Sequence, residues 1–207
     1  YKSLFMSYAR KIRGDADFTE AEIASCMINQ PPGAPNLSLL SFHGAFHGRT
    51  VACLATTHSK PIHKLDVPSL DWPIADFPRY QYPLDAHDTE NRREDDRCLA
   101  QVEDLIDQYD RKGVPVAGIV AEPIQSEGGD HEASPYFFRR LQAIAKRRGI
   151  GLLIDEVQTG GGATGKMWCH EHFGLETAPD VVTFSKKMLI GGYFHTDELR
   201  PQQPYRV

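Results

Sequence analysis

The chain has 207 residues, 41% hydrophobic and 25% charged, an ordinary globular composition that excludes disordered, collagen-like and coiled-coil classes. Lys and Arg number 23 against 28 Asp and Glu, a formal charge of -5, so no basic excess exists for a general nucleic-acid surface. Apolar runs such as Leu152-Leu153-Ile154 fall far short of the roughly 20 residues that span a bilayer.

The first elements are helical. Residues 4–13 and 19–28 each carry a helical pattern, and Gln30-Pro31-Pro32-Gly33 breaks the second. The short apolar run 36–42 predicts a strand, and residues 44–50 a glycine-containing loop. Residues 58–95, rich in Pro, His, Asp and Trp, show no helical period and predict a long surface excursion. The charged run from Asp88 to Arg97 is expected to be a solvated loop face.

From there the pattern is regular. Residues 97–111 place Leu99, Val102, Leu105 and Ile106 on one helix face, and Gly113 stops the helix. Val116-Ala117-Gly118-Ile119-Val120-Ala121 reads as a buried strand. Ser134-Pro135 caps the next helix, whose stripe is Phe137, Phe138, Leu141 and Ile144. Lys146-Arg147-Arg148 suits the negative end of its dipole. Residues 151–154 and 180–184 read as two more buried strands. Apolar strands alternating with amphipathic helices predict an α/β fold, a mostly parallel sheet with helices on both faces.

In such sheets ligands sit beyond the carboxyl ends of the strands. Here those ends deliver Glu122, then Asp155, Glu156 and Gln158, then Lys186 and Lys187 to one rim. Any parallel sheet ends its strands in polar loops; acids and a lysine emerging straight from apolar strands are more specific. A desolvated lysine has a lowered pKa, is nucleophilic and can form a Schiff base. An acid from a neighbouring strand can hold a heterocyclic nitrogen protonated, and pyridoxal phosphate needs this pair. The tight cluster Cys169-His170-Glu171-His172 lacks the second ligand pair that zinc spacing requires, so no metal is expected. Cys26, Cys53, Cys98 and Cys169 form no C-x-x-C pair and are expected to be reduced thiols.

A competing pattern is present. Leu152-Leu153-Ile154-Asp155-Glu156 looks like an NTPase Walker B strand, and Gly160-Gly161-Gly162-Ala163-Thr164-Gly165-Lys166 nearly matches a phosphate-binding P-loop. The residue after the lysine is Met167, so the Mg²⁺-ligating hydroxyl is missing, and the acidic strand precedes the glycine loop.

Several motifs stand in order along the whole chain: Phe42-His43-Gly44-Ala45-Phe46-His47-Gly48-Arg49-Thr50, Glu122-Pro123-Ile124-Gln125-Ser126-Glu127-Gly128-Gly129-Asp130, Ile154-Asp155-Glu156-Val157-Gln158-Thr159-Gly160, and Pro179-Asp180-Val181-Val182-Thr183-Phe184-Ser185-Lys186. Together they resemble the class III pyridoxal-phosphate aminotransferases of fold-type I, and within them the branch that acts on 4-aminobutyrate. The resemblance implies amino transfer from 4-aminobutyrate to 2-oxoglutarate; β-alanine, β-aminoisobutyrate or ornithine are the alternative amines. It implies Lys186 as the Schiff-base lysine and proton shuttle, six positions after Asp180, with the adjacent Lys187 left open. By the same likeness Asp155 pairs with the pyridinium nitrogen, Val157 and Phe46 sandwich the ring, and Gln158 bonds its phenolic oxygen. Arg49 is implied to bind the substrate carboxylate. Glu127 is implied to pair with an arginine beyond Val207, a switch that admits either one carboxylate or two. Glu122 is implied to support either the phenolic edge or Arg49.

The chain opens at Tyr1 and stops at Val207, and the resemblance implies that residues 1–207 are the central part of a cofactor-binding large domain. The phosphate-cradling segment and a small C-terminal domain are expected outside it, so this segment alone is expected to be inactive. Further implications are a homodimer, a mitochondrial location, small amino-acid and 2-oxo-acid partners, and neither nucleic acid nor membrane as partner.

Overall fold

The computed structural model describes residues 1–14, 16–203, 205 and 206. Its helices are α1 Lys2–Arg13, α2 Glu20–Cys26, α3 Val51–Ala55, α4 Asp88–Arg111 and α5 Pro135–Arg148. Its strands are β1 Ser38–Phe42, β2 Ile74–Ala75, β3 Val116–Ala121, β4 Ile124–Gln125, β5 His131–Glu132, β6 Gly151–Asp155, β7 Val181–Phe184 and β8 Gly192–His195. Six strands form one sheet in the order β2-β1-β3-β6-β7-β8, parallel throughout except for the last pair, and β4 and β5 form a separate antiparallel pair.

The apolar runs explain the sheet. Every residue of β1 and of β3 is buried, because helices cover both faces. Side chains alternate across a strand, so neighbours serve opposite layers. Leu40, Phe42, Ile119, Leu152 and Ile154 pack with Leu99, Val102 and Ile106 of α4 and Phe137, Phe138, Leu141 and Ile144 of α5. Leu39, Val120 and Leu153 face the other way, against Leu4 of α1. Two glycines let α1 approach: a Cβ at Gly118 or Gly151 would stand 3.0 Å or 2.5 Å from the Leu4 methyls. Ser134 caps α5 by accepting the Phe137 N–H at 3.0 Å, and Gly149 ends it in the left-handed conformation.

The excursion expected at 58–95 needs correction. It dips into the fold: β2 pairs with β1 as an edge strand, and Trp72, Ala75 and Phe77 are buried. The run from Asp88 is not a loop but the first turns of α4. It lacks an apolar stripe because the face it buries is polar. Asn91 exchanges hydrogen bonds with the Gln81 backbone at 2.8 and 3.0 Å, and buried Asp95 accepts the Ser134 hydroxyl at 2.7 Å and the Tyr80 hydroxyl. Asp88 and Glu90 in the first turn complement the helix dipole.

Candidate active site

The ends of β1, β3, β6 and β7 surround a cleft of ≈ 320 Å³, as the strand-end rule requires. Phe46 and His47 follow β1, Glu122 and Glu127 follow β3, Asp155 ends β6, and Lys186 follows β7; all line the cleft. Val157, Gln158 and Ser126 complete this part of its wall.

Asp155 lies at the bottom. Parallel register sets it beside Thr183 on β7, whose hydroxyl donates to Oδ1 at 2.9 Å. The Val157 N–H reaches the same oxygen at 3.1 Å, and His47 Nδ1 lies 2.8 Å from Oδ2. Burial alone would push this carboxyl up, but the His47 contact and the other donors outweigh it and hold it below the ordinary aspartate value. Asp155 is therefore an ionised acid near neutral pH. Sequence pattern assigns His47 no role, although it lies in one of the motifs. Among the described residues its buried Nε2 has no partner, and the ring meets Asp155 through Nδ1.

Glu122 is the second buried acid, 6% exposed. Its Oε1 accepts the Phe46 N–H at 2.8 Å, which fixes the backbone of the β1 loop. Among the described residues no side chain bonds to it, so the expected contact with Arg49 is not formed. Burial raises its pKa to about 7, the nearby Asp155 charge adds to the rise, and His47, the Phe46 amide and Lys186 oppose it. The loops meet closely: a Cβ on Gly128 would stand 2.0 Å from the Gly44 carbonyl oxygen.

Both candidate lysines converge on Gln158. Lys186 Nζ donates to its side-chain Oε1, and Lys187 Nζ to its backbone carbonyl. Lys186 lines the cleft, whereas Lys187 is not among its lining residues. Lys186 also has φ 48°, a left-handed conformation that a non-glycine residue holds only when its surroundings enforce it.

The two outer residues are placed differently. Glu127 sits at the mouth, paired with Lys60 at 2.7 Å and His63 at 3.3 Å, and these contacts hold its carboxyl below the usual value. Arg49 is exposed, outside the cleft wall, with its guanidinium 5.8 Å from the Phe46 ring centroid. Phe46 packs edge-on against His63 at 5.3 Å.

The P-loop alternative fails on backbone. The Gly161 N–H bonds back to the Met167 carbonyl at 2.9 Å, and a short 3-10 turn at Cys169–His172 follows instead of an α-helix. A phosphate cradle needs a helix N-terminus there.

Comparison with known proteins agrees with this geometry. The family described as aminotransferase class-III matches residues 8–207. The chain is 59% identical over 207 residues to the mitochondrial 4-aminobutyrate aminotransferase of Mus musculus and 60% identical over 206 to that of Homo sapiens. It is 55% identical over 206 residues to the 4-aminobutyrate aminotransferase of Dictyostelium discoideum. Each match takes in 100% of this chain, and the chain spans 41% of the length of these relatives. Among solved structures, a lysine aminotransferase from M. tuberculosis superposes with TM-score 0.72 and 28% identity, over 96% of this chain and 48% of that one. An omega-transaminase from Thermomicrobium roseum shares the fold with TM-score 0.68 at 21% identity, over 96% of this chain and 53% of that one. The mostly parallel sheet with helices on both faces is thus the fold-type I architecture of these enzymes, and the chain belongs to the class-III aminotransferases.

Proposed function

We propose that the protein bearing this chain is a pyridoxal-phosphate-dependent aminotransferase that moves the amino group of 4-aminobutyrate to 2-oxoglutarate, giving succinate semialdehyde and glutamate. What carries the reading is the pairing, on one cleft, of the buried Asp155 carboxylate with the Lys186 amine. The substrate pair rests on the names of relatives that are 55% to 60% identical.

The donor set suits the cofactor. When bound, pyridoxal phosphate supplies an aldehyde carbon for amine exchange and an electron-withdrawing ring. Asp155, kept ionised by His47 and Thr183, would hold the ring nitrogen in its protonated form. Phe46 and Val157 offer the apolar faces that a flat heterocycle packs against. Gln158 accepts from Lys186 through Oε1, which leaves its amide nitrogen to donate to the phenolic oxygen. Glu122 fixes the Phe46 backbone and so the face that Phe46 presents. Lys186 is the attachment amine and moves a proton at the substrate's amine-bearing carbon. Arg49, beside Phe46, offers a planar fork to the substrate carboxylate. Glu127 decides whether one carboxylate or two are accommodated: 4-aminobutyrate carries one, glutamate two.

On the same reading, residues 1–207 are the central part of the cofactor-binding large domain. The protein is a homodimer of the mitochondrial matrix, and the mouse and human relatives are named mitochondrial. Its partners are small amino and 2-oxo acids, not nucleic acid.

The test is lysine mapping in the full-length protein: add pyridoxal phosphate, reduce with borohydride and locate the adduct by peptide mass spectrometry. A single adduct on Lys186 is expected. One on Lys187 moves the assignment by a residue, and none on either lysine refutes the function. Turnover with 2-oxoglutarate as acceptor then ranks the amines. A higher kcat/KM for β-alanine, β-aminoisobutyrate or ornithine than for 4-aminobutyrate would replace the donor proposed here.

A further inference from the structure

Glu156 follows Asp155 in sequence, yet it is fully buried and stands outside the cleft wall. Its carboxylate is saturated with donors. Oε2 accepts the Thr159 hydroxyl at 2.6 Å and the Cys169 N–H at 2.9 Å. Oε1 accepts the His170 N–H at 2.8 Å and meets His170 Nδ1 at 2.9 Å. Its own N–H donates to the Thr183 carbonyl at 2.9 Å, and its carbonyl accepts the Gly160 N–H at 2.8 Å. One residue therefore joins the end of β6, β7, the glycine turn and the 169–172 turn.

The bonds to the 169–172 turn continue toward the lysine. Trp168, next to Cys169, packs against Phe184 of β7 at 6.0 Å and Phe194 of β8 at 5.9 Å. Those strands bracket Lys186. Gly160 makes the approach feasible, since a Cβ there would stand 2.7 Å from the Trp168 ring and 2.8 Å from the Glu156 carbonyl. One arm of the network holds the turn carrying Asp155, Val157 and Gln158; the other supports the segment carrying Lys186. A lone staple for the glycine turn would need only the Thr159 and Cys169 contacts.

We propose that Glu156 is a positioning residue, which through Thr159, Cys169 and His170 sets the Asp155–Gln158 turn and the Lys186 segment relative to each other. This rests on the function proposed above. An active-site displacement of about 1 Å costs on the order of 10²-fold in rate.

The experiment uses the full-length protein and three substitutions, two of them with a conservative counterpart: Glu156→Gln, His170→Leu against His170→Asn, and Thr159→Val against Thr159→Ser. Glutamine at position 156 sets an NH₂ against amide donors, whereas His170→Asn and Thr159→Ser each retain a side-chain donor. Two readouts are taken: deuterium exchange of amides 157–170 without cofactor, and pyridoxal phosphate Kd with the kcat and KM of the loaded enzyme. Glu156→Gln, His170→Leu and Thr159→Val are expected to speed exchange in 157–170 while leaving β3 and α5 unchanged. They should weaken cofactor binding by about 10- to 100-fold, the loss seen when the hydrogen-bond partners of metal ligands are removed. They should lower kcat by roughly 10²-fold at nearly constant KM. His170→Asn and Thr159→Ser should recover most of this. Folded variants that lose thermal stability but keep wild-type cofactor Kd and kcat would overturn the proposal. If Glu156→Gln does not fold, the His170 pair decides by the same criterion. A wild-type protein that takes up no pyridoxal phosphate, while its variants show the exchange response, refutes the function above and not the network.

Discussion

Glu122→Gln isolates the energetic consequence of burying an acid beside Asp155. In the cofactor-free protein burial lifts the Glu122 pKa from 4.5 to about 7. Between those values the folded state binds a proton that the unfolded state has released. The folded state is therefore most favoured below pH 4.5, loses stability as pH rises toward 7, and loses no more on this account above it. At 1.36 kcal/mol per pH unit, the full loss is about 3 kcal/mol. Glutamine keeps the acceptor that bonds the Phe46 N–H and has no charge to desolvate. Stabilities from urea titration should thus differ by only about 1 kcal/mol at about pH 5 and by about 3 kcal/mol at about pH 8, the variant being the more stable. Infrared difference spectra should show a protonated carboxyl lost with a midpoint near 7 and absent from the variant. A midpoint difference that stays flat from about pH 5 to 8, or a carboxyl already ionised at about pH 5, would show that desolvation does not govern this site.

Asp155→Asn should lower kcat by roughly 10²- to 10³-fold, the usual cost of a misplaced electrostatic partner; steady-state assays within about fivefold of wild type would contradict its role. Gly128→Ala forces a methyl group onto the Gly44 carbonyl, 2.0 Å from the ideal Cβ, so the two cleft loops must part. It should destabilise by about 1–3 kcal/mol in urea titrations, as overpacking does. Phe137, fully buried and edge-on to Phe42 and Phe77, should cost about 3–5 kcal/mol when changed to Ala, measured the same way.

The parallel strands were legible because a sheet covered on both faces leaves no polar position to interrupt the apolar run, as in Val116–Ala121. Helix α5 was legible through its cap and stripe. The first turns of α4 were not, because Asn91 and Asp95 bury polar groups whose partners, Gln81, Tyr80 and Ser134, lie in other segments. The strands β2, β4 and β5 are two residues each, below any usable period. For β8 the difficulty is different: each of its residues is exposed, and only pairing with β7 defines it.

The site divides along the same physical line. Asp155, Glu122 and Lys186 could be placed on one rim because strand direction alone carries them there, whatever their side chains touch. His47 reaches Asp155 only because the β1 loop folds back across the strand ends, and no periodicity encodes that return. Glu127 makes the point most sharply. The resemblance ties it to an arginine outside this chain, whereas here Lys60 and His63 hold it. Both come from the aperiodic excursion after α3, and both bring positive charge or hydrogen-bond donors to an acid at the mouth. Solvent screens an exposed pair of this kind, so its net contribution to stability is small. That is weak enough for a substrate carboxylate or an arginine fork to displace it, so the contact leaves Glu127 free to change partners.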